Sequence, residues 1–132
     1  DDYAHHPAEI KVTLEAAKKM GYNRVWAVHQ PFTYTRTSLL LDDFAEVLKI
    51  ADKCVISAIM GSREVNTIGI KATDLSSKVP GSVQLDTFDE ICDYVCNNVE
   101  NGDLVITLGC GDVYKVARMM CKKMKEREEA AN

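Results

Sequence analysis

The sequence predicts an α/β domain in three layers, a mostly parallel sheet flanked by helices. Three observations predict it. Apolar, β-rich runs recur at Arg24-Val-Trp-Ala-Val-His29, Lys53-Cys-Val-Ile-Ser-Ala-Ile59 and Asp103-Leu-Val-Ile-Thr-Leu108, and such near-continuous runs read as strands buried on both faces. Segments with apolar residues at helical spacing alternate with them. The joints between are short and punctuated by Gly, Pro and capping residues. Strand–helix alternation of this kind puts parallel strands between helices, joined by right-handed crossovers.

Each element has its own signal. Pro7 suits the first turn of a helix, Glu9 complements its dipole, and Ile10, Thr13, Leu14 and Ala17 recur at helical spacing before Gly21 stops it. After the first strand, Gln30 to Arg36 is a polar loop broken by Pro31. A helix is expected from about Thr37 to Leu48, with Leu40, Leu41, Phe44, Val47 and Leu48 as its apolar face. The second strand is followed by a loop from Met60 to Ile70, a short helix near Ala72 to Lys78 that stops before Pro80, and a short strand Val83 to Leu85. Thr87 and Glu90 form a capping box for a helix through Val99. The last helix is expected from about Val113 to Arg127, with a charged, fraying tail.

The chain has 132 residues, which suits one domain with a hydrophobic core. Sixteen Lys+Arg against 20 Asp+Glu give a net charge of −4, and phosphate-rich partners need a basic face, so nucleic acid is excluded as the main partner. Apolar runs are short, far below the ~20 residues that span a bilayer, so no membrane partner is expected. Five cysteines, an odd number without a tight framework, read as reduced thiols of a cytoplasmic protein. Cys92 and Cys96 share one face of a predicted helix. They read as small buried residues rather than half a metal site, because no second Cys/His pair has ligand spacing.

In parallel sheets ligands bind beyond the carboxyl ends of the strands. That selects the loops after Val28, Ala58 and Leu108, and the opening residues if a strand precedes them. Asp1-Asp2-Tyr3-Ala4-His5-His6-Pro7 gathers two carboxylates, a phenol and two imidazoles before a helix. These read either as caps and solvated surface groups or as a site in which a carboxylate accepts ribose hydroxyls. Arg36, just ahead of the expected helix, suits a carboxylate or phosphate, or is a surface Arg beside a capping Thr37. Arg63-Glu64 is either an exposed ion pair or part of a cleft. Gly109-Cys110-Gly111-Asp112 punctuates a strand-to-helix turn; it is neither a Walker loop nor the full dinucleotide fingerprint. No G-x-S-x-G elbow exists, and the run Lys122 to Glu129 reads as a solvated helix face.

Taken together, these motifs resemble the Mur ligases. Asp-Asp-Tyr-Ala-His-His-Pro at 1–7 is similar to the motif that opens their C-terminal domain. Gln-Pro-Phe-Thr-Tyr-Thr-Arg-Thr at 30–37 is similar to a later motif of the branch that adds L-alanine to UDP-N-acetylmuramate. Leu41-Asp-Asp-Phe-Ala45, Arg63-Glu64 and Gly102 to Asp112 follow in the matching order, so the resemblance covers nearly the whole chain. It implies a Rossmann-like C-terminal domain, residues 1–132, of a three-domain cytoplasmic ligase of peptidoglycan precursor synthesis, with a strand expected before Asp1. It implies ATP and Mg2+ as cofactors, the metal held mainly by a central domain that also carries the phosphate loop. It implies UDP-N-acetylmuramate and L-alanine as partners, shared with the other two domains. By motif, Asp2 and Tyr3 face the nucleotide, Asp2 at the ribose, and Gly109 and Gly111 shape the loop beside it. His5, His6, Arg36 and Arg63 line the amino-acid side, Arg36 taking the alanine carboxylate as a two-pronged donor. The isolated domain is expected to be inactive. Two departures stand out. Phe32-Thr33 replaces a common His-Arg, which throws weight on Arg36, and Cys110 replaces a common Ala. Two other readings remain open: a stand-alone nucleotide- or partner-binding module, and a metal-binding protein using His5, His6 and a Cys.

Overall fold

The strand Val25–His29 (β1) is buried at every position, which only a central strand covered on both faces allows. The computed structural model describes residues 1–131. In chain order, α1 (Pro7–Lys18) precedes β1. Then come α2 (Tyr34–Leu39), α3 (Leu41–Leu48), β2 (Lys53–Ile56), α4 (Ala72–Ser76), β3 (Val83–Gln84), α5 (Phe88–Asn98), β4 (Leu104–Leu108) and α6 (Tyr114–Ala131). The sheet order is β3-β2-β1-β4 and every pairing is parallel. Ala27 stands opposite Cys54 on one side and Ile106 on the other. This is the three-layer α/β arrangement that the sequence predicts.

Side-chain alternation along β1 builds two cores. Val25 and Ala27 face α1, α3 and α4, meeting Ile10, Leu14, Phe44, Leu48 and Leu75. Trp26 and Val28 face α5 and α6, meeting Ile91, Val95, Val113 and Val116. Cys92 and Cys96 belong to the second core and Cys54 to the first, all free thiols. Burial pushes the Cys54 thiol up to about 12 and that of Cys92 to about 11, so both are protonated apolar residues at neutral pH.

The helix boundaries differ from expectation in two places. The expected helix Thr37–Leu48 is two helices. The first begins at Tyr34, with Thr33 as its cap: the Thr33 hydroxyl accepts from the Arg36 N–H at 3.3 Å. Thr37 is therefore buried inside the helix, its hydroxyl donating to the Thr33 carbonyl at 2.7 Å. The chain breaks at Leu40, which ends α2 and precedes α3. At the other end of the chain, α6 continues past Arg127 to Ala131 instead of fraying there. Arg127 anchors it, donating to the Cys96 carbonyl at 2.8 Å and to the Asn97 side chain at 2.7 Å, which satisfies the end of α5. No helix among the described residues is long and apolar enough to cross a membrane.

Candidate functional site

From β1 the chain steps through β2 to β3 on one side, then returns to β4 on the other. The connections diverge between β1 and β4, and the crevice beyond their carboxyl ends is the expected ligand position. Gln30 leaves β1 there, with its Nε2 donating to Asp112 Oδ1 at 2.8 Å, while its Oε1 is buried without a partner. Gly111 lets this happen, because a Cβ there would sit 2.5 Å from Gln30 Oε1. At Gly109 a Cβ would meet Val113 Cγ1 at 3.1 Å and the Gln30 carbonyl at 3.3 Å. Both glycines thus serve close approach of the β1 and β4 loops. A Gly111→Ala chain should lose about 1–3 kcal/mol of stability through this overpacking. Urea unfolding followed by the fluorescence of Trp26 measures it, and an unchanged midpoint would count against this role for Gly111.

The opening residues lie along the same edge. Asp2 forms a parallel bridge with Leu108, its N–H donating to the Thr107 carbonyl at 2.9 Å. One Asp2 carboxylate oxygen accepts from the Ala4 N–H at 2.8 Å and the other from the Thr13 hydroxyl at 3.3 Å. Asp2 and Tyr3 line an open hollow of about 510 Å³ against the first turns of α1. The Tyr3 ring is 69% exposed and meets His5 edge-on at 5.3 Å. The His5 ring also lies 3.7 Å from Glu9. His6 is the N-cap of α1: its Nδ1 accepts from the Ala8 N–H, and Glu9 reaches back to its N–H at 3.2 Å. That bond fixes the tautomer with the proton on Nε2.

His6 and Arg36 come together in a second cleft of about 530 Å³, with Thr33, Thr35 and Glu64 and an apolar wall of Leu39 and Leu40. The loops that form it are zipped by backbone bonds from Thr33 to Met60 and from Met60 to Pro31, both 2.8 Å. Thr33 pays for this geometry with φ 63°, a left-handed backbone that costs a β-branched residue about 1–3 kcal/mol and is typical of functional sites. Arg36 sits over the Phe32 ring at 5.9 Å, so the residue at the unusual position 32 gives the guanidinium an aromatic face. Its Nη1 is buried without a hydrogen bond. Among the described residues Arg36 makes no ion pair.

The sequence singled out Arg63 from the Arg63-Glu64 pair, yet Arg63 is exposed and does not line this cleft. Glu64 does. Its carboxylate accepts from the Thr35 N–H at 3.0 Å, and that bond, then the Thr35 hydroxyl and the Tyr34 N–H and last the Arg36 charge, holds it below the usual carboxylate range. The adjacent Gly61 admits the Tyr34 ring, which a Cβ would meet at 2.5 Å. Neither Glu64 nor Gln30 was singled out as a site residue, though both stand inside motifs that the sequence displays.

Residues 1–111 match the family model of the Mur ligase, glutamate ligase domain. The chain belongs to that family. It is 48% identical over 126 residues to a UDP-N-acetylmuramate–L-alanine ligase of Lachnospira eligens, covering 92% of this chain but only 28% of that protein. Its fold is like that of the UDP-N-acetylmuramate-alanine ligase MurC of Thermotoga maritima, with TM-score 0.77 at 20% identity over 96% of this chain and 26% of that one. It is also like that of the MurF ligase of the same organism in complex with ADP, with TM-score 0.69 at 16% identity, over 96% and 28% of the two chains. This Mur ligase domain therefore spans a little over a quarter of the length of such relatives.

Proposed function

We propose that residues 1–132 are the C-terminal domain of a three-domain, cytoplasmic, ATP-dependent ligase that adds L-alanine to UDP-N-acetylmuramate for peptidoglycan. A strand ahead of Asp1 would pair along β4 beyond the Asp2–Leu108 bridge. The observation that carries the reading is the unpaired Arg36 guanidinium in a cleft at the carboxyl edge of the sheet, in a chain whose relatives carry that enzyme's name. A planar two-pronged donor without an internal carboxylate suits an α-carboxylate.

ATP supplies the phosphate that activates the muramate carboxyl, and the alanine amine then displaces it. This domain's part is binding. Each Asp2 carboxylate oxygen keeps acceptor capacity beyond its one internal bond, which fits the two hydroxyls of a ribose, and the exposed Tyr3 ring offers the nucleotide a flat apolar face. Gly109 and Gly111 keep the neighbouring loop close. His5 and His6 fix the turn between the two hollows, and Arg63, exposed outside the cleft, is available to a charged partner. The residues here do not fit Mg2+: among those described, no three His, Cys, Asp or Glu side chains gather as a ligand set. The metal is assigned to the central domain.

Arg36→Ala in the full-length enzyme should raise the KM for L-alanine about tenfold or more while leaving the KM for ATP nearly unchanged, the loss of one charge-assisted hydrogen bond. Steady-state kinetics with each substrate varied in turn measures this. Equal rises for both substrates would remove Arg36 from its role.

A further inference from the structure

The Arg36 cleft holds two opposite charges that do not neutralise each other. Glu64 is ionised and pinned, its carboxylate accepting the Thr35 N–H at 3.0 Å with the Thr35 hydroxyl and the Tyr34 N–H close by, and the residue is exposed, which leaves room for a further donor. Arg36 is pinned from the other side, its backbone N–H bonded to the Thr33 hydroxyl and its guanidinium over Phe32. Both line the cleft, yet no ion pair joins them. Free side chains of this length and charge collapse onto one another when nothing holds them apart. Here a strained Thr33 and a backbone bond on Glu64 keep them separate.

A gap between a fixed cation and a fixed anion is complementary to a ligand that carries both charges. We infer that Glu64 is a second amino-acid-binding residue: the remaining acceptor capacity of its carboxylate takes the α-ammonium group of the substrate whose α-carboxylate Arg36 holds. The apolar wall of Leu39 and Leu40 leaves a small, unbranched side chain in apolar surroundings. The inference rests on the reading of Arg36 given above, and it adds a separate recognition element. Two charges fix the orientation of the amino acid as one cannot, and orientation is what brings the amine to its reaction partner.

The test separates the two residues in the full-length ligase. Glu64→Gln keeps an oxygen that can accept the Thr35 N–H and removes only the charge. L-lactate, which has the carboxylate and the methyl group of L-alanine but no ammonium, serves as a competitive inhibitor. With Glu64→Gln the KM for L-alanine should rise about tenfold to a hundredfold, while the inhibition constant of L-lactate and the KM for ATP stay within about twofold. Glu64→Asp, which restores the charge, should recover part of the loss. If L-alanine and L-lactate weaken together in Glu64→Gln, Glu64 only shapes the loop, and the inference is overturned. No change in either overturns it as well. Arg36→Ala should weaken both ligands; if it weakens neither, the reading of Arg36 fails, and the Glu64 result stands or falls on its own ratio.

Discussion

An Asp103→Ala chain should lose about 1–3 kcal/mol of stability, the cost of leaving the Trp26 indole N–H, which its carboxylate satisfies, without an acceptor. The Asp103 side chain is 0% exposed, at the amino end of β4, opposite the candidate site. Its carboxylate accepts from Arg24 Nε at 3.0 Å, Arg24 Nη2 at 2.7 Å, Trp26 Nε1 at 3.0 Å and the Glu100 N–H at 3.0 Å. Alanine would strand the indole N–H and the Glu100 N–H without acceptors and leave a half-buried guanidinium beside the Trp26 ring, 5.4 Å away. Asp103→Asn keeps one acceptor and should cost less. The Arg24 bonds first, then those of Glu100 and Trp26, hold Asp103 well below the usual carboxylate range. A depressed folded value means that this stabilisation is complete above about pH 4, the unfolded value, and is lost as pH falls further. Urea unfolding read by Trp26, the single tryptophan, measures both effects. An alanine variant as stable as the parent would show that the cluster is decorative.

Arg24, Trp26 and Asp103 also mark where sequence reading stops. The strands were legible because β-branched runs carry their own burial signal, α1 because Pro7, Glu9 and its apolar spacing announce it, and α5 because its cap, Thr87 with Glu90, is local chemistry, whereas the His6–Glu9 cap of α1 was not read. What failed was decided across the fold. Thr33 and Thr37 are equally good caps on paper, and the backbone bond from Thr33 to Met60 chooses between them. Leu39-Leu40-Leu41 contains no Gly or Pro to announce a break, so the division between α2 and α3 left no trace in composition. The β2 run reads as strand to Ile59, yet β2 ends at Ile56, and the chain rejoins β1's loop only at Met60. The run Lys122 to Glu129 reads as surface, which it is, but its Arg127 reaches back to α5. In the site, the motifs located the right loops. Which of Arg63 and Glu64 lines the cleft depends on the Thr35 N–H, and no pattern in one chain displays that.

Stability between pH 6.5 and 4 should depend on a residue with no acidic partner at all. His29 closes β1, is 1% exposed, and lies against the Phe44 ring at 5.4 Å, with neither ring nitrogen in a hydrogen bond. Burial lowers its pKa to about 4, the nearby Leu108 backbone opposing this and being outweighed. The unfolded chain, with an ordinary value near 6.5, therefore takes up a proton over a range where the folded chain refuses it. Protons bound by the unfolded state alone make stability fall as pH falls, so this contribution is intact above about pH 6.5 and gone by about pH 4, a loss of about 3 kcal/mol. The window lies above that of Asp103, and so the two can be separated in one titration. His29→Leu should flatten the profile between pH 6.5 and 4 and leave the fall below pH 4 in place. At neutral pH it should be neutral or stabilising, since an apolar side chain replaces one whose polar atoms bond to nothing. A His29→Leu profile parallel to that of the parent would mean that the imidazole reaches water or a partner on the unfolding timescale. The slope would then belong to the carboxylates.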